Sequence, residues 1–343
     1  MGTARALEYG SVVDLLARLT VLGSLGMDIS VTVRSLPGPG ATVLGGPAVF
    51  TPGGKGANQA VAAARLGIAA NMSVRMIGCV GDDDFGRTAR AALAEEGIDV
   101  GAVRTVPGAP TGIAMVTVDQ AGENLITVSP GANSAVGAPE IAAVGAGLVN
   151  VLVISAEIPV SAILAAVGGG SRAAGLGGAG RPLTVLNLAP APPREEAAAV
   201  LRARPDWLVV NESEAEAVLG RPVGGLAEAA RAAAALVSAG ARNAVVTVGS
   251  AGAAYHAELQ TRPASGMVPA FPVHARDTVG AGDAFVGALA VALAAGIPPE
   301  EAVTAASAAG AAAATRLGTQ TALPRPADIR TATGYAWPLP AGK

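Results

Sequence analysis

Residues able to do chemistry gather first at the run Asp277-Thr278-Val279-Gly280-Ala281-Gly282-Asp283-Ala284-Phe285, which leads into a long apolar stretch of helical composition. A helix starting here would aim the backbone N–H groups of Gly280, Ala281 and Gly282, and the positive end of its dipole, at one point. That is a site for phosphate. Asp283 would lie beside such a phosphate, where a carboxylate suits a base that deprotonates an attacking alcohol. The turn points to kinase chemistry; its plain alternative is a glycine turn with Asp283 as a helix cap.

A second glycine-rich run, Gly53-Gly54-Lys55-Gly56-Ala57-Asn58-Gln59-Ala60, also enters an apolar helical segment. Glycine lets a ligand approach backbone N–H groups, and Lys55 and Asn58 donate to hydroxyl or anionic oxygens. It is not a Walker A loop, since Gly56 follows the lysine where Ser or Thr is required and Val49 stands where the first glycine belongs. Asp28 and Glu157 each follow a candidate strand, which places both at the carboxyl edge of the sheet, where ligands of open α/β sheets collect. Two carboxylates there suit a polyhydroxylated substrate. Asn211-Glu212-Ser213-Glu214 follows another strand and reads either as a contact to Mg²⁺-bound phosphates or as a capping box. The strand-to-glycine passage Thr247-Val248-Gly249-Ser250-Ala251-Gly252 is a weaker candidate for a nucleotide border.

The elements that must position these residues alternate. Candidate strands at 20–23, 73–80, 149–155, 183–187, 207–210 and 244–248 are interleaved with Ala-rich candidate helices at 58–66, 86–96, 161–167, 194–203, 213–219, 227–238, 282–295 and 299–316. This predicts an α/β fold with a mostly parallel sheet covered by helices on both faces. Segments 29–33 with 41–51, and 112–118 with 124–129, read instead as strands of a small separate sheet that closes over a substrate. The glycine-dense segment 168–180 reads as a surface loop.

Of 343 residues only 14% are charged and 3% aromatic, and the formal net charge is −3. With a mean hydropathy of +0.48, small aliphatic side chains must form the core. No general attraction to nucleic acid or an anionic membrane follows from this balance. The most apolar stretches, 141–156 and 284–299, are too short to span a bilayer and carry Gly, Asn or Pro. The N-terminal residues lack the order of a signal peptide, and a cytoplasmic protein is expected. Cys79, the sole cysteine, excludes an intrachain disulfide and sits in an apolar strand, where it reads as a small core hydrophobe. His256 and His274 have no second ligand nearby in sequence, so no zinc site is expected.

Taken together, residues 53–60, the Gly122-Glu123-Asn124 and Gly131-Ala132-Asn133 segments, 211–214 and 277–285 resemble the ribokinase-like (PfkB) family of carbohydrate kinases, over about 21–324. The resemblance implies a three-layer α/β fold with a β lid, in one kinase domain over 20–330. Residues 1–19 would be an N-terminal extension and 331–343 a tail; the lid would also join two copies into a homodimer. It implies ATP-dependent phosphorylation of the primary hydroxyl of ribose or a close pentose, with another sugar, a nucleoside, or sugar binding without catalysis as alternatives. Asp283 would be the base, with the amides of Gly280, Ala281 and Gly282 holding the transferred phosphoryl. Sugar contacts would come from Gly26, Met27, Asp28, Gly54, Lys55, Gly56, Ala57, Asn58, Glu157 and Asp283. Nucleotide contacts would come from Asn211, Thr247, Val248, Gly249, Ser250, Ala251, Gly252, Gly282, Asp283 and Ser307. Mg²⁺ would arrive with ATP and be held indirectly by Glu214. A monovalent cation, K⁺, would be ringed by Asp277, Val279, Ala313, Arg316, Gly318 and Ala322. Three positions depart from the family pattern: Gly26 stands in place of Asn, Ser307 in place of Asn or His, and Ala322 lacks a hydroxyl.

Overall fold

Strand and helix alternate along most of the chain. The structure, a computed structural model, describes residues 18–121, 123–146, 149–169, 181–258 and 263–339. Most of the expected extension 1–19, Gly122 and nearly all of the glycine-dense loop lie outside these residues. In order, the first elements are β1 (Arg18–Leu22), β2 (Gly26–Thr32), β3 (Val49–Gly53), α1 (Lys55–Gly67), β4 (Ser73–Gly81), α2 (Asp84–Glu95) and β5 (Asp99–Val106). Next come β6 (Gly112–Val118), β7 (Asn124–Ser129), α3 (Ala138–Gly145), β8 (Val151–Ser155), α4 (Val160–Gly168), β9 (Leu183–Asn187), α5 (Arg194–Arg202) and β10 (Trp207–Asn211). The remainder is α6 (Glu212–Leu219), α7 (Gly225–Ser238), β11 (Asn243–Thr247), β12 (Gly252–Glu258), β13 (Pro263–Pro269), α8 (Ala281–Ala294), α9 (Pro299–Ala314) and α10 (Pro326–Thr333).

Nine strands form one sheet in the order β13-β12-β11-β10-β9-β8-β1-β4-β5. Neighbours from β11 to β5 are parallel, while β12 and β13 add antiparallel at one edge. Side chains alternate across a strand, so each central strand feeds two cores. Val151 and Val153 of β8, and Trp207 and Val209 of β10, enter the core shared with α1, α8 and α9. Leu152 and Ile154, with Leu208 and Val210, enter the opposite core with α4, α5 and α7. Every one of these strand residues is buried, which is why the parallel strands read as unbroken apolar runs. Cys79 lies in the second core, where burial and the neighbouring Glu140 push its thiol up to about 12.

A four-stranded sheet, β3-β2-β6-β7, stands apart from the large one. It differs from expectation in its first half: residues 41–48 are mostly irregular, tied only by a bridge between Val33 and Gly45, and the paired strand is the short β3. Strands β5, β12 and β13 were not foreseen. β5 alternates apolar with polar residues at a sheet edge, β12 is Ala-rich, and β13 carries Gly and two prolines, all weak strand signals. Helix α10 was also missed, whereas the apolar stretch 141–156, read as a buried helix-to-strand passage, holds most of α3 and then β8. Residues 331–339 are not detached: Trp337 is buried in the first core and Tyr335 packs edge-on against Phe271 at 5.6 Å, while the rest of the expected tail lies outside the described residues.

Candidate active site

The loop that leaves β1 is pinned from three sides. Ser24 donates its hydroxyl to Glu157 at 2.6 Å, and the Leu25 amide donates to Asn133 Oδ1 at 3.0 Å while Asn133 Nδ2 donates back to the Leu25 carbonyl at 2.8 Å. Glu157, just past β8, also accepts the Lys55 amide at 3.1 Å. These bonds close a cavity of about 140 Å³ between the carboxyl ends of β1 and β8 and the inner face of the small sheet. Gly26, Met27, Asp28, Gly54, Lys55, Asn58, Glu157 and Asp283 all line it. Gly56 and Ala57 stand behind this wall, their amides bound to the hydroxyl and carbonyl of Ser24 at 3.3 and 2.9 Å.

Asp28 does not sit on the edge of the main sheet, as its place in sequence implied. It lies within β2, paired with Thr51 and Ala114, so the small sheet itself carries this carboxylate over the cavity. Thr319 donates its hydroxyl to Asp28 Oδ2 at 3.1 Å. Burial raises the Asp28 pKa to about 6, with repulsion from Glu157 and Asp283 adding to it and the Thr319 bond and Lys55 opposing it. Gly26 has no room for a side chain, because a Cβ there would come within 2.4 Å of the Gly112 carbonyl on the neighbouring strand.

Asp283 is held at the floor by two amides. Asn58 Nδ2 donates to Oδ2 at 2.9 Å and Gln59 Nε2 to Oδ1 at 3.1 Å. Its carboxyl is raised above the usual range by burial, against the pull of Lys55 and the two amide bonds. Lys55 in turn is held above its ordinary range, chiefly by Asp283. The result is a desolvated carboxylate in the field of the Lys55 cation, a setting that raises its hold on a proton and suits proton transfer.

The head of α8 begins with Gly280 at φ +79°, a left-handed turn that glycine adopts without strain. Among the described residues, the amides of Gly280, Gly282 and Asp283 meet no protein acceptor. That of Ala281 donates to the Thr278 carbonyl at 3.2 Å, so the expected donor set loses Ala281. Asp277 braces the turn, accepting the amides of Val279 and Gly318, each at 3.0 Å. This draws the loop after α9 against the turn before α8. The Ala313 carbonyl accepts the Arg316 amide at 3.2 Å and Ala322 is fully buried.

Of the expected nucleotide residues only Asp283 lines the cavity; the rest lie outside it. Asn211 and Glu214 form a reciprocal capping box at the start of α6, each bond 2.8 Å long, leaving Asn211 Nδ2 and Glu214 Oε1 without a partner among the described residues. Burial raises the Glu214 carboxyl. Residues 247–252 make the turn from β11 to β12, with Ser250 exposed at its tip. Ser307 in α9 has a buried hydroxyl with no partner among the described residues. Glu214 and Lys55 both border a second, adjoining cleft of about 590 Å³ that opens beside the first cavity.

Sequence reasoning missed Ser24, Thr319, Gln59 and Asn187 as parts of the site. Gln59 and Asn133 lay within recognised motifs, but nothing local marks Thr319, whose partner is 291 residues away in the chain.

The chain matches the pfkB family of carbohydrate kinases over residues 16–326. Among curated proteins, the ribokinase of Schizosaccharomyces pombe is 36% identical over 313 residues, covering 89% of this chain and 94% of that one. The deoxyribokinase of Salmonella typhi is 34% identical over 274 residues, covering 79% and 84%. The solved structure of Arabidopsis thaliana ribokinase complexed with ribose and ATP superposes with a TM-score of 0.76 at 28% identity, covering 94% of this chain and all of that one. With the two-sheet fold and the buried acid at a helix head, these findings show that the chain belongs to the pfkB family of carbohydrate kinases.

Proposed function

We propose that this chain transfers the γ-phosphoryl group of ATP to the primary hydroxyl of D-ribose or a close pentose, giving the sugar 5-phosphate and ADP. The observation that carries the reading is the juxtaposition in one cavity of buried Asp283, the unengaged amides at the head of α8, and the sugar-binding candidates Asp28, Lys55, Asn58 and Glu157. Asp28 and Glu157 accept hydrogen bonds from the sugar hydroxyls, and Lys55 and Asn58 donate to them. Asp283 takes the proton of the attacking hydroxyl, worth roughly 10²- to 10⁴-fold in rate. The amides of Gly280, Gly282 and Asp283 stabilise the transferring phosphoryl, which is the larger part of such a reaction.

ATP lies along the carboxyl ends of β10 and β11, against Asn211, residues 247–252 and Ser307. The free Glu214 oxygen beside Lys55 fits an indirect role in holding Mg²⁺. No cluster of three or more acidic, His or Cys side chains forms a metal cage among the described residues, which suits an ion carried by the nucleotide. Mg²⁺ neutralises phosphate charge when bound. The Asp277 turn fits a monovalent cation such as K⁺: a carboxylate with spare lone pairs lies beside the exposed ends of two loops that it already ties together. Such an ion would stiffen the turn that presents the amides.

The sugar cavity contains no aromatic side chain among its lining residues, which favours a sugar over a nucleoside. An ATP-consumption screen over pentoses, hexoses and nucleosides tests the reading, with D-ribose or 2-deoxyribose expected to give the highest kcat/KM. A nucleoside or hexose preferred tenfold over both would overturn it. Use of ATP favours a cytoplasmic location. Among the described residues no helix is long and apolar enough to cross a membrane. The chain works as a homodimer joined through the small sheet.

A further inference from the structure

We infer that Gln59 and Asn187 act as an orienting pair that fixes the carboxylate of Asp283, which makes both of them positioning residues for the proposed base. This rests on the reading of Asp283 just given. Asn187 Nδ2 donates to the Val209 carbonyl at 3.2 Å, and a backbone carbonyl can only accept. That contact turns Asn187 Oδ1 toward Gln59, whose Nε2 donates to it at 2.9 Å. The second hydrogen of the same Nε2 is left for Asp283 Oδ1 at 3.1 Å. A backbone atom of β10 thereby selects the orientation of one amide, and that amide selects the next. Were Gln59 to flip, its oxygen would face Asn187 Oδ1 and the carboxylate together, three acceptors without a proton.

A second observation points the same way. Gln59 is completely buried and its Oε1 has no partner among the described residues. Leaving a buried carbonyl unpaired is unfavourable, so the packing holds Gln59 for what its NH₂ group does. Neither Gln59 nor Asn187 lines the cavity, in contrast to Asn58, which holds the other carboxylate oxygen and also faces the sugar. The pair therefore serves the base alone. It engages one lone pair of Oδ1, stops rotation of the carboxylate, and favours its ionised form. The charged groups whose field reaches Asp283 are Lys55 of α1, Glu157 after β8, Asp28 of β2 and Glu214 of α6.

The test compares Gln59→Leu, Asn187→Leu and the double variant by steady-state kinetics across pH, with circular dichroism to confirm folding. The expected result for Gln59→Leu is a kcat lower by about 10- to 100-fold, sugar and ATP KM values within a few-fold, and an acid limb of kcat displaced to higher pH. Asn187→Leu shifts both in the same direction by less, and the double variant is no worse than Gln59→Leu, because the two act as one unit. Additive losses, or an unmoved acid limb in folded Gln59→Leu, would overturn the inference. If Gln59→Leu does not fold, Asn187→Ser read by the same pH profile decides the matter. Asp283→Ala in the same assay separates the two claims: full turnover there defeats the assignment of the base itself.

Discussion

At the scale of single residues, the proposed sugar cavity is a balance of burial against charge. Asp28 has a pKa of about 6 rather than its ordinary 3.8 because burial outweighs the hydroxyl of Thr319 and the charge of Lys55. Above that pH it is an acceptor for sugar hydroxyls; below it the carboxyl is protonated and that capacity falls. Sugar affinity, measured by calorimetry without ATP, is therefore expected to weaken as pH drops through about 6, and Asp28→Asn to bind weakly with a flatter profile. Gly26 offers a second test. Although the family pattern has Asn there, the Gly112 carbonyl occupies the space, so Gly26→Asn should lower stability by about 1–3 kcal/mol in thermal unfolding and weaken sugar binding instead of restoring a contact. Much at this scale was legible beforehand, because Asp283, Lys55 and Asn58 stand beside glycines in short runs whose spacing is itself the signal. Thr319 and Asn187 were not, since their roles come from strands and loops brought together only by the fold.

At the scale of elements, the proposed catalysis depends on a turn rather than on a rigid rod. The amides at the head of α8 are presented by residues 277–280, and the Asp277 carboxylate ties this turn to the loop at 316–318, accepting the Val279 amide of the turn with one oxygen and the Gly318 amide of the loop with the other. A cation lodged beside Asp277 would act by holding that geometry, not by touching the substrate. Replacing K⁺ by tetramethylammonium should then lower kcat by tenfold or more with sugar KM little changed, read by product formation at constant ionic strength. An unchanged rate would remove the cation from the account. The parallel strands and their covering helices were readable as apolar runs and Ala-rich stretches. The antiparallel edge strands β12 and β13 were not, since β12 is built of alanine and β13 of Pro, Ser and Gly, and their pairing is decided by neighbours and not by propensity.

For the whole molecule, the small sheet has two faces with different duties. Cross-strand pairing puts Asp28, Ala114, Val116, Ile126 and Val128 on the face that lines the cavity. The opposite face carries Phe50, Met115 and Leu125, each about half exposed at 55, 49 and 51%. Ile126 and Val128 on the cavity face are as exposed, so the sheet leaves apolar side chains uncovered on both faces; such uncovered apolar surface marks an interaction surface, which fits the proposed homodimer. Sedimentation should show a dimer for the native chain and a monomer for Phe50→Glu combined with Leu125→Glu; a native monomer would contradict it. The two carboxylates come to one cavity only because β2, leaving β1, crosses into this second sheet.

The central claim is that Asp283 receives the proton while the head of α8 holds the phosphoryl group. Its most direct test is to follow phosphoryl transfer from ATP to D-ribose by ³¹P spectroscopy for the native chain and for Asp283→Ala, with ribose affinity measured in parallel. The expected product is ribose 5-phosphate, with turnover in the variant lower by roughly 10²- to 10⁴-fold and affinity within a few-fold. Near-native turnover in Asp283→Ala, or phosphate on a secondary hydroxyl, would contradict it.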